Sequence, residues 1–505
     1  MKKVLLLCVA TLAIFSNFLK AENKYDKPQV ITVAGKIDNY DPTRQVTISV
    51  FRIGLNMARE SIVAKTDSAG NFVATFESYI PVDAWVGYKS AFSVLLYPND
   101  SLFVRFDGKH DDIIKLLESV NFSGNASRTN QYVAKFQQMY SEQISLDWGK
   151  HQKIVKEYDA NQYIQYLDTI HQQRKRFYYQ FVAENQPDNE SEKWALLFIE
   201  DWYYRNLCSY ASFHRRENNL GVDWDVPKGF YDKLLNLLPI NQSMFIGAQV
   251  LSGFPNMFEN YVSYKLKDKD PDVWRIHPEG GRIYPAGINL DSLKIFSTIE
   301  FIHDSLLCQI SLSQIFNDNF RFQNIVAYER FRDVVDTHIT EPFLKEPLYE
   351  KYLQVKRRIE NPQVHTEAIL KETANFSSKQ IMDDILQQNK GKVIYIDFWA
   401  TWCSPCLQQM PNSKIVEHEF MDKDVAFVYV CLQSDEKHWK ATLDRFQLGG
   451  QHYLLSNEQS NEIRNFLSIP GEPFYLLLDE NGIIKEKGND LRPLVAKDKI
   501  KEMLK

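Results

Sequence analysis

Cysteine is scarce in this 505-residue chain: Cys8 sits in the first apolar stretch, and only Cys208, Cys308, Cys403, Cys406 and Cys431 follow. Five over so long a chain do not make a disulfide framework, and an odd number leaves at least one thiol unpaired. Basic excess is missing too. Lys and Arg number 59 against 65 Asp and Glu, a formal net charge of −6, and no basic cluster interrupts the balance, which argues against nucleic acid as a partner. No phosphate-binding loop, Gly-x-Ser-x-Gly elbow or dinucleotide fingerprint occurs. The histidines are scattered without ligand spacing, and His418 in "HEFMD" lacks the second histidine of a zincin, so neither a metal nor a cofactor is assigned. Repeats and low-complexity tracts are absent, and beyond the N-terminus no apolar run reaches the ~18 residues a membrane span needs.

The N-terminus itself is apolar. Lys2 and Lys3 precede Val4–Phe15, a short polar stretch follows, and Ala21 supplies a small residue, the pattern of a secretory signal over residues 1–21. About a dozen apolar residues is short for an uncleaved anchor, and the bulky Leu7 before Cys8 argues against lipidation. The expectation is an exported protein of the periplasm or cell envelope, with no membrane span after cleavage, in a compartment where disulfides persist.

Three textures follow. Residues 22–125 alternate in short β-type bursts such as "VITVAGKI", "NFVATF" and "SLFVRF", separated by turn material such as "DSAG" and "YPND", which predicts a small β-sandwich-like domain. Residues 126–363 place apolar side chains three and four apart, as in "NQYIQYLDTIHQQRKRFYYQF", and predict a mostly helical region. Residues 364–505 have an α/β rhythm: the apolar run "KVIYIDFWA" suits a central parallel strand, "VAFVYVCL" a second, and Lys437–Phe446 a helix. Asn481-Gly482 marks a hairpin before a closing helix.

In that last region "FWATWCSPCLQQMP" places two cysteines at the start of a helix. A thiol in a first helical turn meets unsatisfied N–H groups and the positive end of the helix dipole, which stabilise its thiolate. The second sulfur, three residues on and on the same face, can reach back to close a disulfide. Pro405 removes a donor that the first turn does not use, and Pro411 is expected to kink the helix. A zinc half-site is the competing reading of Cys-x-x-Cys, without a second CxxC or HxxxH nearby to complete it; an inert structural disulfide is a third. Cys431 in its apolar strand reads as a buried thiol, and Cys208 and Cys308 as core residues, with a mutual disulfide as the minority alternative.

"IDFWATWCSPC" resembles the active-site signature of the thioredoxin superfamily, and "GEPFYLLLDENG" its cis-proline segment with Pro473 in the cis position. The 70 residues between Cys403 and Pro473 leave room for an extra strand and helix, as in exported TlpA/ResA-type thiol–disulfide oxidoreductases. This resemblance implies a thioredoxin fold for residues 364–505, with Cys403 as attacking thiolate, Cys406 as resolving thiol, and a Cys403–Cys406 redox disulfide. Asp397 becomes the buried carboxylate that moves protons for Cys406, the alternative being a carboxylate satisfied at the strand end. Trp402, Pro405, Glu472 and Pro473 form the substrate surface. Two residues depart from the pattern: Gln409 stands where ResA-type members often have glutamate, and Glu472 precedes the cis-proline where an uncharged residue is commoner. A carboxylate on the order of 6–8 Å from Cys403 raises a thiolate pKa by about 0.4–1 unit; a Glu472 pointing into solvent does not.

The resemblance implies an extracytoplasmic reductase of disulfides in protein partners, re-reduced by a thiol electron donor. A disulfide isomerase or oxidase on the same fold is the alternative, as is a binding or scaffold protein whose N-terminal regions carry the function.

Overall fold

The computed structural model of the protein describes residues 25–504, apart from 52–58, 145–146, 222–223, 239, 242–243, 245–247, 277–281 and 288. The expected signal, residues 1–21, lies outside the described residues. The chain forms two compact units: one runs up to Asn317 and includes Arg332–Leu348; the other comprises Asp318–Phe331 and Tyr349–Lys505.

Among the described residues, the first unit starts with nine strands in two sheets. One has the order β4-β5-β1-β8-β9, with β1 (Gln29–Asp38), β4 (Lys65–Thr66), β5 (Asn71–Ser78), β8 (Ser101–Asp107) and β9 (Asn121–Gly124). The other has the order β3-β2-β6-β7, with β2 (Thr47–Phe51), β3 (Arg59–Val63), β6 (Val82–Gly87) and β7 (Ala91–Leu96). In β5 every second side chain is buried, the period that turns one face of a strand inward. Ile31 and Val104 of the first sheet and Ile48, Val50 and Val94 of the second share one core. Strand β6 gave no clear sequence signal, because "PVDAWVG" carries Pro81, Asp83 and Gly87 in the pattern of turn material.

After a short helix α1 (Ile113–Ser119) come α2 (Ser127–Gln143), α3 (Trp148–Glu157), α4 (Ala160–Asn185) and α5 (Asn189–Glu217). Asp147, Asp159 and Asp188 cap the last three, accepting backbone N–H bonds that would otherwise be unsatisfied. Their apolar stripes meet around Phe136, whose ring contacts Phe177, Phe181, Trp194 and Phe198 edge-on with centroids 5.1–5.9 Å apart. The unit continues through α6 (Ala248–Lys269), the short hairpin β10 (Arg275–Ile276) and β11 (Arg282–Ile283), and α7 (Leu290–Phe301). Helix α8 (Ser305–Arg321) leads into the second unit, α9 (Val326–Arg330) belongs to it, α10 (Arg332–His338) returns to the first, and α11 (Pro342–Glu360) enters the second again.

The second unit is built on a six-stranded sheet of order β12-β15-β14-β13-β16-β17: β12 (Ile369–Lys371), β13 (Val393–Trp399), β14 (Val425–Cys431), β15 (Gln451–Leu454), β16 (Phe474–Leu478) and β17 (Ile484–Gly488). β13 pairs in parallel with β14 and antiparallel with β16. Helices α12 (Ser378–Gln388) and α15 (Asn457–Leu467) bury Ile381, Ile385 and Ile463 against one face. On the other lie α13 (Ser404–Glu419), α14 (Glu436–Phe446) and α16 (Pro493–Met503), which bury Met410, Leu443 and Ile500. Strand β15 and helix α15 occupy the interval between Cys403 and Pro473.

This unit begins upstream of residue 364. Phe320, Tyr328 and Tyr352 stack together, Tyr328 and Tyr352 at 4.6 Å. Arg357 donates through both Nη atoms to the Asp444 carboxylate of α14, each at 2.8 Å, and that carboxylate is almost fully buried. Removing Arg357 therefore leaves a buried charge without its main partner, a loss of ~3–5 kcal/mol for a wholly buried pair and of about 1–3 kcal/mol here, because Arg357 is half exposed. A fragment of residues 349–505 is expected to unfold cooperatively and to exceed one of residues 366–505 in stability by that amount in urea titrations. Equal midpoints and slopes would show that the segment before residue 366 is not part of this core.

Candidate active site

All seven residues of β13, "VIYIDFW", are buried. Val393, Tyr395 and Trp399 join the core that also holds Cys403, Cys406, Ala496 and Ile500, so the two-residue period puts Asp397 on that same face. Beyond the strand the chain turns through Thr401 and Trp402, held by the residues that follow β14. The Thr401 N–H and hydroxyl both bond to Ser434 Oγ at 3.0 and 3.1 Å, and Trp402 Nε1 donates to the Gln433 carbonyl at 2.9 Å.

Cys403 is the N-cap of α13, and its Sγ accepts the Cys406 N–H at 3.2 Å. The two cysteines form a disulfide with Cα atoms 5.3 Å apart. Pro405 sits exposed in the first turn, where its missing N–H costs nothing, and the helix runs on through Pro411 to Glu419. Both cysteines are shielded in this disulfide form: the attacking Cys403 is only 4% exposed and Cys406 1%. The indole of Trp402 beside them is 52% exposed. The register Phe398↔Phe474 puts Pro473 at the end of the sheet from which the cysteines emerge, and the Glu472–Pro473 bond is cis.

Asp397 is fully buried, and burial alone pushes its carboxyl up to about 8. Its Oδ1 has no hydrogen-bond partner, so the carboxyl is not satisfied at the strand end. Tyr429 and Tyr475 are its register partners on β14 and β16, and burial together with the Asp397 charge raises both phenols. The group is thus held as a neutral acid at pH 7, in the layer that contains Cys406. Gln409, in place of a glutamate, accepts an amide bond from Asn412 at 3.1 Å.

Glu472 differs from both sequence expectations. Its side chain is 4% exposed rather than solvated, and Arg464 of α15 donates to it through Nε at 2.8 Å. A carboxylate compensated in this way exerts little repulsion on a neighbouring thiolate; its visible work is to tie the cis-proline loop to α15. A basic side chain also lies beside the cysteines, itself within 3.9 Å of the Asp318 carboxylate. Arg321, the last residue of α8, donates from Nη2 to the hydroxyl of Ser404, the residue after Cys403, at 3.3 Å. Arg445 Nη1 in turn donates to the Arg321 carbonyl at 2.5 Å, and burial with the nearby Arg358 and Arg321 charges pushes Arg445 down to about 10. Phe322 packs against the core cluster that includes both cysteines. Nothing local in "NDNFRFQN" signals these hydrogen bonds, which span 83 and 124 residues.

Cys208, Cys308 and Cys431 carry free thiols, so Cys208 and Cys308 do not pair. Burial pushes them up to about 12, 11 and 12, which makes them poor nucleophiles. Among the described residues, no group of three His, Cys, Asp or Glu side chains is arranged to hold a metal ion, and no helix is long and apolar enough to cross a membrane.

Residues 383–502 match the Redoxin family. The chain is 31% identical to the thioredoxin-like protein YneN of Bacillus subtilis over 141 residues, which are 28% of this chain and 77% of that one. It is 28% identical to the thiol-disulfide oxidoreductase ResA of Oceanobacillus iheyensis over 118 residues, 22% of this chain and 60% of that one. Among solved structures, the thioredoxin domain of a thiol-disulfide oxidoreductase from Bacteroides vulgatus aligns with 24% of this chain and 84% of its own, at 26% identity and a TM-score of 0.22.

Two outcomes follow from the geometry. A carboxyl whose folded pKa lies above its unfolded value keeps a proton that the unfolded chain has already lost, so stability falls as pH rises from about 4 towards 8. Asp397→Asn removes that penalty: its stability relative to the wild type is expected to rise between pH 5 and pH 8, at up to about 1.4 kcal/mol per pH unit. A difference independent of pH would mean that Asp397 is ionised in the folded protein. Arg321→Gln is expected to raise the Cys403 thiol pKa in the reduced protein by roughly 0.3–1 unit, read from the pH dependence of iodoacetamide alkylation. An unchanged profile would remove Arg321 from the site's electrostatics.

Proposed function

Since the C-terminal part of the chain belongs to the Redoxin family of thioredoxin-like proteins and acts as a thiol–disulfide oxidoreductase, we propose that this protein is an extracytoplasmic reductase of disulfides in protein partners. The observation that carries the proposal is the Cys403–Cys406 disulfide capping α13 in the same layer as an acid held neutral by burial. The secretory pattern of residues 1–21 supports export.

In the reduced protein the Cys403 thiolate, stabilised by the free N–H groups of the first helical turn, attacks one sulfur of a partner disulfide. A Cys403–partner bond forms as the partner's disulfide breaks, and the departing thiolate takes a proton from solvent. Cys406 gives its proton to the fraction of Asp397 that is ionised near neutral pH and attacks Cys403; the Cys403–partner bond breaks, and the partner's second sulfur leaves as a thiolate that takes a proton from solvent. Two electrons have passed to the partner, and the protein holds its own disulfide. An external thiol donor reverses these steps, and the Asp397 proton then meets the leaving Cys406 sulfur. An acid near 8 suits both directions, because it lies close to the pKa of an ordinary thiol. Trp402 and Pro405 offer the partner chain an exposed, largely apolar surface at the end of the sheet where the buried Pro473 lies.

The Cys406→Ala variant is expected to trap mixed disulfides on Cys403, identifiable by mass spectrometry, and the wild type to reduce insulin at the expense of dithiothreitol. Reactivation of scrambled ribonuclease without insulin reduction would favour the isomerase reading. Full cellular function in a Cys403→Ser/Cys406→Ser variant would assign the biological work to the N-terminal regions.

A further inference from the structure

The helical part of the first unit contains a cleft of about 750 Å³. Tyr140 of α2, Phe198 and Trp202 of α5 and Met257 of α6 give it aromatic and apolar walls, with the exposed Trp148 at its rim. Into it points Arg174 of α4. Its side chain is 4% exposed, and the guanidinium carbon lies 3.7 Å from the centre of the Trp202 ring and 5.5 Å from that of Tyr140. Nε has no hydrogen-bond partner, and among the described residues Arg174 makes no ion pair.

That is an unusual position for a guanidinium. Buried charges are normally paired and hydrogen-bonded, since desolvation without compensation is expensive. Stacking on two rings offsets part of the cost but leaves the in-plane N–H donors without acceptors. Burial accordingly lowers the Arg174 pKa. The other cation lining the cleft is compensated: Arg205 Nε contacts both oxygens of Asp201, at 2.5 and 2.7 Å. His151, behind Trp202, bonds to Tyr166 and Asn206 and is held neutral by burial. Among the described residues the cleft therefore holds one uncompensated positive charge.

We infer that this cleft is a binding site for an aromatic carboxylate, whose anion pairs with Arg174 while its ring lies among Tyr140, Phe198 and Trp202. A single planar cation matches a singly charged, planar carboxylate in a bidentate pair. A phosphate would bring more charge than one guanidinium compensates. The walls match the common pattern of a small-molecule site, mostly apolar with a few polar groups that fix orientation. The inference does not depend on the redox reading, because every lining residue belongs to the first unit.

The test uses the full chain, 1-naphthaleneacetate, and its uncharged counterpart 1-naphthaleneacetamide, in calorimetric titrations followed in parallel by tryptophan fluorescence, since Trp148 and Trp202 face the cleft. The acid is expected to bind at least about tenfold more tightly than the amide and to quench the fluorescence. Arg174→Gln is expected to remove this preference, and Arg174→Lys to retain part of it. Ser209→Phe, which fills the cleft without touching Arg174, is expected to abolish binding and guards against a misfolded Arg174 variant. Insulin reduction should stay at the wild-type rate in all three variants. The inference is overturned if the acid fails to bind at millimolar concentration, if acid and amide bind alike, or if Arg174→Gln binds the acid as the wild type does; Arg174 is then only a stacked core residue.

Discussion

The junction between β13 and α13 is the constraint on which the active unit depends. A strand buried along its whole length fixes the direction of the chain, and four residues beyond it the first helical turn begins. The junction brings two environments together. Asp397 lies inside the sheet, where water is absent and a carboxyl keeps its proton. Cys403 lies at the helix start, where backbone N–H groups favour a negative sulfur. In the proposed mechanism, proton storage and nucleophile activation thus both come from one short segment, each set by where the backbone leaves the core.

The charges around the junction were harder to read than the junction itself. Glu472 as a lone carboxylate would disfavour the Cys403 thiolate and make the protein more reducing. Its pairing with Arg464 removes most of that influence, and Arg321 introduces the opposite one beside Ser404. Burial and the nearby Arg358 and Arg321 charges lower the affinity of Arg445 for its proton, and Asp444 compensates the Arg357 and Arg358 side of the group.

What was legible in the sequence was local. "KVIYIDFWA" declares a strand buried on both faces because no polar residue interrupts it except Asp397, the residue to which the proposed mechanism gives the proton. Asn481-Gly482 gives the β16–β17 hairpin, and "HWKATLDRF" keeps the helical period of α14. Long-range pairs left no such trace. Arg357 and Asp444 are 87 residues apart, Arg321 and Ser404 83, and each pair joins segments whose own patterns are complete without it. The upstream start of the second unit was missed for the same reason: Phe320, Tyr328 and Tyr352 look like ordinary helix core until their partners are known. Arg174 belongs to this class too, since the run "RKR" at 174–176 of α4 suggests a solvated face.

The central claim is that Cys403 and Cys406 are the protein's redox centre and its remaining thiols are bystanders. It is tested most directly by equilibrating the protein in dithiothreitol redox buffers, quenching with acid, and locating alkylated cysteines by mass spectrometry. The account predicts one reversible two-electron transition confined to Cys403 and Cys406, with Cys208, Cys308 and Cys431 remaining thiols throughout. A Cys403–Cys406 bond that stays closed in the most reducing buffers, or a transition that involves the other three cysteines, would contradict it.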